Sequence, residues 1–515
     1  MAIKSPLKLS SYIAEKNHKW WALGAMASCI SMMMIDQTVL PLALPTIQRD
    51  LHVSDIMLQW IINAYMLSVA AFVLAGGRLS DLLGRRRMFC LGSIIFALAS
   101  ALGGVAFAGQ WLVFSRALQG LGAAFMGPST LAIIIDTFGI GQRGKAMGIY
   151  VGTGALFLSL GPLVGGFLTN YVSWRWIFWI NLPVSAIGIA LALIFIQPST
   201  RVRQRFSWGS FLTFAVGTIS LVIIFMQGRE WGWSSSTIIL MEVLTLFAFA
   251  LFYYLDKREL HPAIDLTLFR VRTFACSCVI IFFMQFVLMV TVFWGLYFQN
   301  ILGYSPMETG WITSISCLPI IAVPLVAGHM SDNSGPKKPI LIGLGLLFFS
   351  FMWFAAYKFA VSFVMLVPAL VTFGCGIGLI NTPTSSCAIS SVPKEKRGAA
   401  SGTLGAIRWA GATMGVALLG SILSNIQFHT FQSLLSKNPM TDNLNPHLFE
   451  GLFSKSQDTL RALHHLKSAT AHWVEASLKG AFLNAFWGVN IASGLVVALV
   501  IVFVALAMKK HKHPH

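Results

Sequence analysis

Fourteen apolar runs, separated mostly by short loops, limit what this chain can fold into. Each reaches the ~20 residues that a helix needs to cross a hydrocarbon core. The chain has 515 residues, 56% hydrophobic and 10% charged, with a mean hydropathy of +0.74. A soluble protein carries about 25% charged residues. The sequence therefore predicts an all-α polytopic membrane protein. The expected spans are roughly 20–45, 58–76, 88–108, 111–136, 146–169, 176–196, 209–227, 237–255, 274–300, 308–329, 339–357, 361–388, 399–424 and 481–508.

The chain repeats itself. Gly77–Arg87 reads GRLSDLLGRRR, and Gly328–Lys338 reads GHMSDNSGPKK. Gly77/Gly328, Ser80/Ser331, Asp81/Asp332 and Gly84/Gly335 fall at one spacing. At nearly the same offset, RGKAMG at Arg143–Gly148 is echoed by RGAASG at Arg397–Gly402. Two matches at nearly one offset indicate two copies of a helical unit, the construction of many secondary transporters. The reading is six helices, two inserted helices, then six: a first bundle over residues 1–200, a linker and extra pair over 201–272, and a second bundle over 273–515. The second bundle is expected to carry a long extracytoplasmic loop at about 425–480, with an amphipathic helix in its 455–478 part.

The net charge of +18 follows the topology. With the N-terminus inside, 25 of the 36 Lys and Arg residues fall in inner segments, and the short outer loops hold only Arg49, Arg175, Arg229 and Lys358. This places both termini in the cytoplasm and the chain in the cell's inner membrane. No single basic face gathers the charge, which argues against nucleic acid as a partner.

Seven cysteines lie in or beside apolar runs, without zinc or disulfide spacing. His464, His465 and His472 lie about two helical turns apart, ~10–12 Å, too far for one ion. Gly139–Gly144 matches GxGxxG but follows a helix, and Ser391–Lys394 matches SxxK without a further catalytic set. An enzyme, a metal and a bound cofactor are not expected.

Chemistry concentrates in a few charges inside apolar runs. Asp36 sits deep in the first, where a carboxylate can take up and release a proton. Pro41 and Pro45 interrupt the helix ladder beyond it. Arg116, early in the fourth run, needs a carboxylate, carbonyls or water. Arg408 is an intramembrane cation in the thirteenth, and Glu242 an acid in the inserted pair. Gly161, Pro162, Gly165 and Gly166 suit close helix approach and a kink. Asp81 and Asp136 lie at inner helix ends beside basic residues, Arg85 and Arg86 among them, and Asp332 repeats the first position. Such pairs can latch an inner gate in one state and break in the other. Asn63, Tyr65, Trp294, Tyr297, Asn381 and Arg408 are candidates to line a cavity.

Together these residues resemble the major facilitator superfamily, specifically its fourteen-helix drug:proton antiporter branch. GRLSDLLGRRR resembles that family's loop between helices 2 and 3, RALQGLGAAFMGP its helix 4 motif, GPLVGG its helix 5 antiporter motif, and DQTVLPLALPTI its helix 1 motif. WRWIFWINLP and RWAGATMGVAL are also family-like. Pro41, Phe157 and Trp409 depart from the usual residues, and the thirteenth run carries no acid. The resemblance implies a proton-coupled exporter of a drug-like compound, a lipid-like compound or a siderophore. Asp36 and Arg116 would handle the proton, the two loops would gate the inner side, and the proton gradient would stand in place of a cofactor. A small molecule, protons and the bilayer are the implied partners, a periplasmic adaptor protein is a candidate partner, and a monomer is expected. An importer of the same fold and a non-transporting membrane sensor are the rival readings.

Overall fold

The structure is a computed structural model describing residues 17–138, 140–198, 207–259, 265–356, 363–393, 396–437 and 468–508. Fourteen of the helices among these residues are long and apolar enough to cross a membrane, and no strand occurs among them. They are α1 His18–Leu51, α2 Asp55–Leu83, α3 Arg85–Gly104, α4 Gly109–Thr137, α5 Ile140–Phe167, α6 Trp176–Phe195, α7 Trp208–Trp231, α8 Ser236–Arg258, α9 Arg272–Asn300, α10 Pro306–Ser334, α11 Lys337–Ala356, α12 Phe363–Ser390, α13 Arg397–Leu435 and α14 Ser468–Ala507.

Local sequence explains the ends and breaks. Ser54 and Ser305 cap α2 and α10, and Ser305 with Glu308 forms a reciprocal capping box. α6 breaks at Ile180, just before Pro183, whose missing N–H is tolerated in the first turn of the following segment. α9 breaks at Met289. α13 and α14 differ most from expectation: α13 runs on to Leu435 and α14 begins at Ser468. No Gly or Pro interrupts 425–435, and Phe431 and Leu435, one turn apart, are buried. The expected loop is therefore helical at both ends. His429 and His472 lie on α13 and α14, while 438–467, with His447, His464 and His465, lies outside the described residues.

The repeat reappears in the packing. In the first half α4 packs on α2 and α3, α1 on α5, and α6 on α1 and α3. In the second, α12 packs on α10 and α11, α9 on α13, and α14 on α9 and α11. The α2–α3 and α10–α11 turns both close on a glycine of positive φ, Gly84 at 98° and Gly335 at 76°, a region that side chains disfavour.

The halves meet along α2–α13 and α5–α10, two seams that exchange when each helix is replaced by its repeat partner, and α1 also meets α9. The inserted helix α7 packs on both α2 and α13, and α8 packs on α7. Leu67, Val222, Met226 and Ala417 form a buried cluster where α2, α7 and α13 join.

Cross-seam contacts favour the end away from the Gly84 and Gly335 turns. There Gln299 donates to Leu42 O at 2.7 Å, and Gly420 lies tight against Gln59. Toward the turn end, Cβ positions at Gly148, Gly152, Gly328, Gly402 and Gly405 would meet nothing within 4 Å.

Candidate functional site

Asp36 lies eighteen residues into α1, about 27 Å along it at ~1.5 Å per residue. Arg116 lies on α4, and both residues are 2% exposed. One terminal nitrogen of Arg116 donates to both Asp36 carboxylate oxygens, at 2.9 and 2.7 Å. The same nitrogen donates to Gln119 Oε1 at 2.7 Å, and Nε donates to Ile61 O on α2 at 3.2 Å. Gln119 in turn donates to Ser100 Oγ on α3 at 2.7 Å. A buried ion pair survives when further hydrogen bonds satisfy its remaining groups, and this one ties together four helices.

Glycine makes the approach feasible. Gly120, one turn from Arg116 on the same face of α4, sits against the Tyr65 carbonyl and Ser68 of α2, where a Cβ would collide. Gly122 lies as close to Gly92 of α3. α4 is therefore pressed between α2 and α3, bringing the guanidinium to 4.4 Å from the centre of the Tyr65 ring. Tyr65 is fully buried, its hydroxyl has no hydrogen-bond partner among the described residues, and its ring meets that of Trp409 of α13 edge to face at 5.9 Å. A small recess of about 30 Å³ beside the pair is lined by Asp36, Gln37, Tyr65, Arg116, Thr291 and neighbouring apolar side chains.

The glycines of α5 divide between two faces. Gly161 and Gly165 press on Thr38 and Val39 of α1, while Gly166 and the Pro162 carbonyl press on Pro306 and Gly310 of α10. Ser159 donates to Cys317 O of α10 at 2.9 Å. α5 is a thin wedge between α1 and the second half.

The second half brings Asn381 and Arg408 together. Arg408, half-buried, donates to Asn381 Oδ1 at 3.0 Å and Ser385 Oγ at 3.4 Å, both on α12.

Other expected positions fall elsewhere. Trp294 is fully buried between Phe354 and Phe373, and Tyr297 stacks on Phe486 at 4.3 Å. Both belong to the packing of the second half and not to a cavity wall, because aromatic rings close the space between α9, α11, α12 and α14. Asn63 is fully buried and donates to Met226 Sδ of α7 at 2.9 Å, so it faces the inserted helix. Glu242 is exposed on α8. Arg85 pairs with Asp136 between α3 and α4, inside one half, so this contact does not bridge the seam. Arg86 donates to Ile196 O at 2.8 Å, closing the end of α6. The side chains of Asp81 and Asp332 lie outside the described residues. The Gln119–Ser100 extension is not among the positions expected from sequence. Its signal is a polar residue three positions after Arg116 on an apolar helix.

Outside the spans, Lys396 donates to Asp265 at 2.7 Å, linking the α12–α13 turn to the segment before α9. Burial works to raise the Asp265 pKa, but the hydrogen bonds from Lys396 and Thr267 and the ammonium charge outweigh it and hold the carboxyl below its ordinary value.

The chain is similar to known proteins. A family model described as the Major Facilitator Superfamily matches residues 26–416. The chain is 35% identical over 400 residues to the multidrug resistance protein Stp of Mycobacterium tuberculosis, covering 76% of this chain and 74% of that protein. It is 32% identical over 432 residues to the puromycin resistance protein pur8 of Streptomyces alboniger, covering 81% of this chain and 84% of the relative. Among solved structures, a bacterial homolog of the human lysosomal transporter Spinster superposes with a TM-score of 0.60 at 16% identity, covering 97% of this chain and 100% of that one. That last likeness is one of fold. From the family match and the two relatives, this fourteen-span chain belongs to the Major Facilitator Superfamily, a family of transporters and not of enzymes.

Proposed function

We propose that the chain is a proton-driven exporter of small amphipathic, drug-like molecules that works by alternating access. The observation that carries this reading is the buried Asp36–Arg116 pair. A proton on Asp36 cancels the carboxylate and leaves Arg116 to Ile61 O, Gln119 and the Tyr65 ring. Removing one charge from a buried pair is costly, so proton uptake changes which packing of α1, α2 and α4 is favoured. The two matched seams supply the surfaces on which the halves rock. In this reading the Gly84 and Gly335 turns, with Asp81, Arg85, Arg86, Asp136 and Asp332, gate the cytoplasmic side.

Export is supported by the relatives, which are described by drug resistance and, for tetracenomycin C, by resistance and export. Relatives named for drugs and antibiotics favour a drug-like cargo, and none of those named here is described by a siderophore. Inside-out proteoliposomes with an acidic lumen test the reading, using a panel of dyes and antibiotics that includes puromycin. Accumulation in the lumen that stops when a protonophore collapses the gradient is expected. Accumulation that survives the collapse, or movement only in the opposite direction, would contradict it.

A further inference from the structure

Arg408 is a cation inside the membrane whose described partners are all neutral. Two of its hydrogen bonds leave one terminal nitrogen, to Asn381 and Ser385. Its Nε and other terminal nitrogen make no hydrogen bond among the described residues, and no described carboxylate lies within ion-pair distance. Asp36 is taken by Arg116, so the first-half pair is neutral as a unit. Beside Arg408 the helix surface is bare. Gly405 is its neighbour three residues back, Gly402 follows three further on, and a Cβ at either would meet nothing within 4 Å. Trp409, the next residue, turns to Tyr65 across the seam. Unused donors, a stretch of helix without side chains and a neighbouring aromatic ring thus occur together around Arg408.

We propose that Arg408, held in aim by Asn381 and Ser385, is the subsite for an anionic group of the cargo, so that carboxylate-bearing amphiphiles bind in preference to their neutral counterparts. This rests on the exporter reading. A guanidinium matches a carboxylate with paired donors, and a charged partner adds strength that neutral acceptors do not. Charged groups inside membrane proteins commonly mark the path of a ligand. Proton and cargo then use different groups, Asp36 and Arg408, so their exchange is enforced by the order of conformations and not by competition for one charge.

The test is binding, measured without any gradient, on the full chain in phosphatidylcholine nanodiscs. That lipid supplies no net anionic headgroup as a second source of the same chemistry. The probes are dansyl-labelled undecanoate and its methyl ester. Wild type is expected to bind the carboxylate about tenfold more tightly at neutral pH, a ratio that corresponds to ~1.4 kcal/mol. The ratio is expected to vanish when the probe is protonated. Arg408→Gln is expected to bring it close to one and Arg408→Lys to keep part of it, with melting by intrinsic fluorescence as the control for folding. Equal binding of acid and ester by wild type overturns the proposal without reference to any variant. A ratio that persists in Arg408→Gln overturns it equally. Preferential binding in a protein that fails to pump would keep this subsite and remove the exporter reading.

Discussion

Tyr65 holds its ring face against the Arg116 guanidinium, 4.4 Å from the ring centre, while the same ring packs edge to face with Trp409 of the other half. One side chain of α2 therefore touches both the buried ion pair and the seam on α13. A cation over an aromatic face contributes about 0.5–2 kcal/mol, depending on how well water is excluded.

The ring and not the hydroxyl makes both contacts, which separates two substitutions. Tyr65→Phe is expected to keep gradient-driven transport within about twofold of wild type, and Tyr65→Leu to lower it by tenfold or more, for a loss of ~1.4 kcal/mol or above. Initial rates in proteoliposomes at equal protein load check this. Equal rates for the two variants would remove Tyr65 from the coupling.

Removing half of the ion pair is expected to cost more than removing both halves. Arg116→Gln leaves the Asp36 carboxylate buried without its cation, a loss of about 3–5 kcal/mol. Adding Asp36→Asn to that variant is expected to restore much of the thermal stability without restoring pumping. Melting of the detergent-solubilised proteins by intrinsic fluorescence reads the order, and a double variant no more stable than Arg116→Gln would contradict it.

Much of this was legible in the residues, and what was not has physical causes. Asp36, Arg116 and Arg408 stand out because a charge in an apolar run is costly wherever it points. Their partners did not stand out. Arg116 of α4 reaches Asp36 of α1 across 80 residues, in a bundle where Gly120 lets α4 press on α2, and such contacts are facts about packing. Trp294 and Tyr297 are ambiguous in sequence because a helix that is apolar all round does not show which side faces its own bundle. The ends of α13 and α14 are not visible in hydropathy, which measures the depth of the bilayer, because a helix can continue past it into water.

The repeated turns predict matched defects. Gly84→Ala and Gly335→Ala each place a side chain at a φ that glycine alone adopts readily, a cost of about 1–3 kcal/mol. Similar falls in melting temperature are expected for both. A fall at one position only would mean that the turns are not equivalent.

The Asp265–Lys396 contact predicts a pH-dependent difference. Because its folded pKa lies below the ordinary 3.8, the carboxylate contributes stability above that value and loses the contribution as pH falls through the folded pKa. The pair is partly exposed, so the effect stays under about 1 kcal/mol. Wild type is expected to melt slightly above Asp265→Asn at pH 7, and the two are expected to converge in acid below the folded value. A difference that grows on acidification would reverse the assigned sign.

The most direct test compares two kinds of movement in Asp36→Asn proteoliposomes, using a panel compound that wild type exports. Equilibrium exchange needs only that the halves rock, whereas concentration against a gradient needs a titrating group. The variant is expected to exchange labelled compound across the membrane and to lose its accumulation under an imposed pH gradient. Accumulation at the wild-type level would show that the proton is carried elsewhere and would contradict the account.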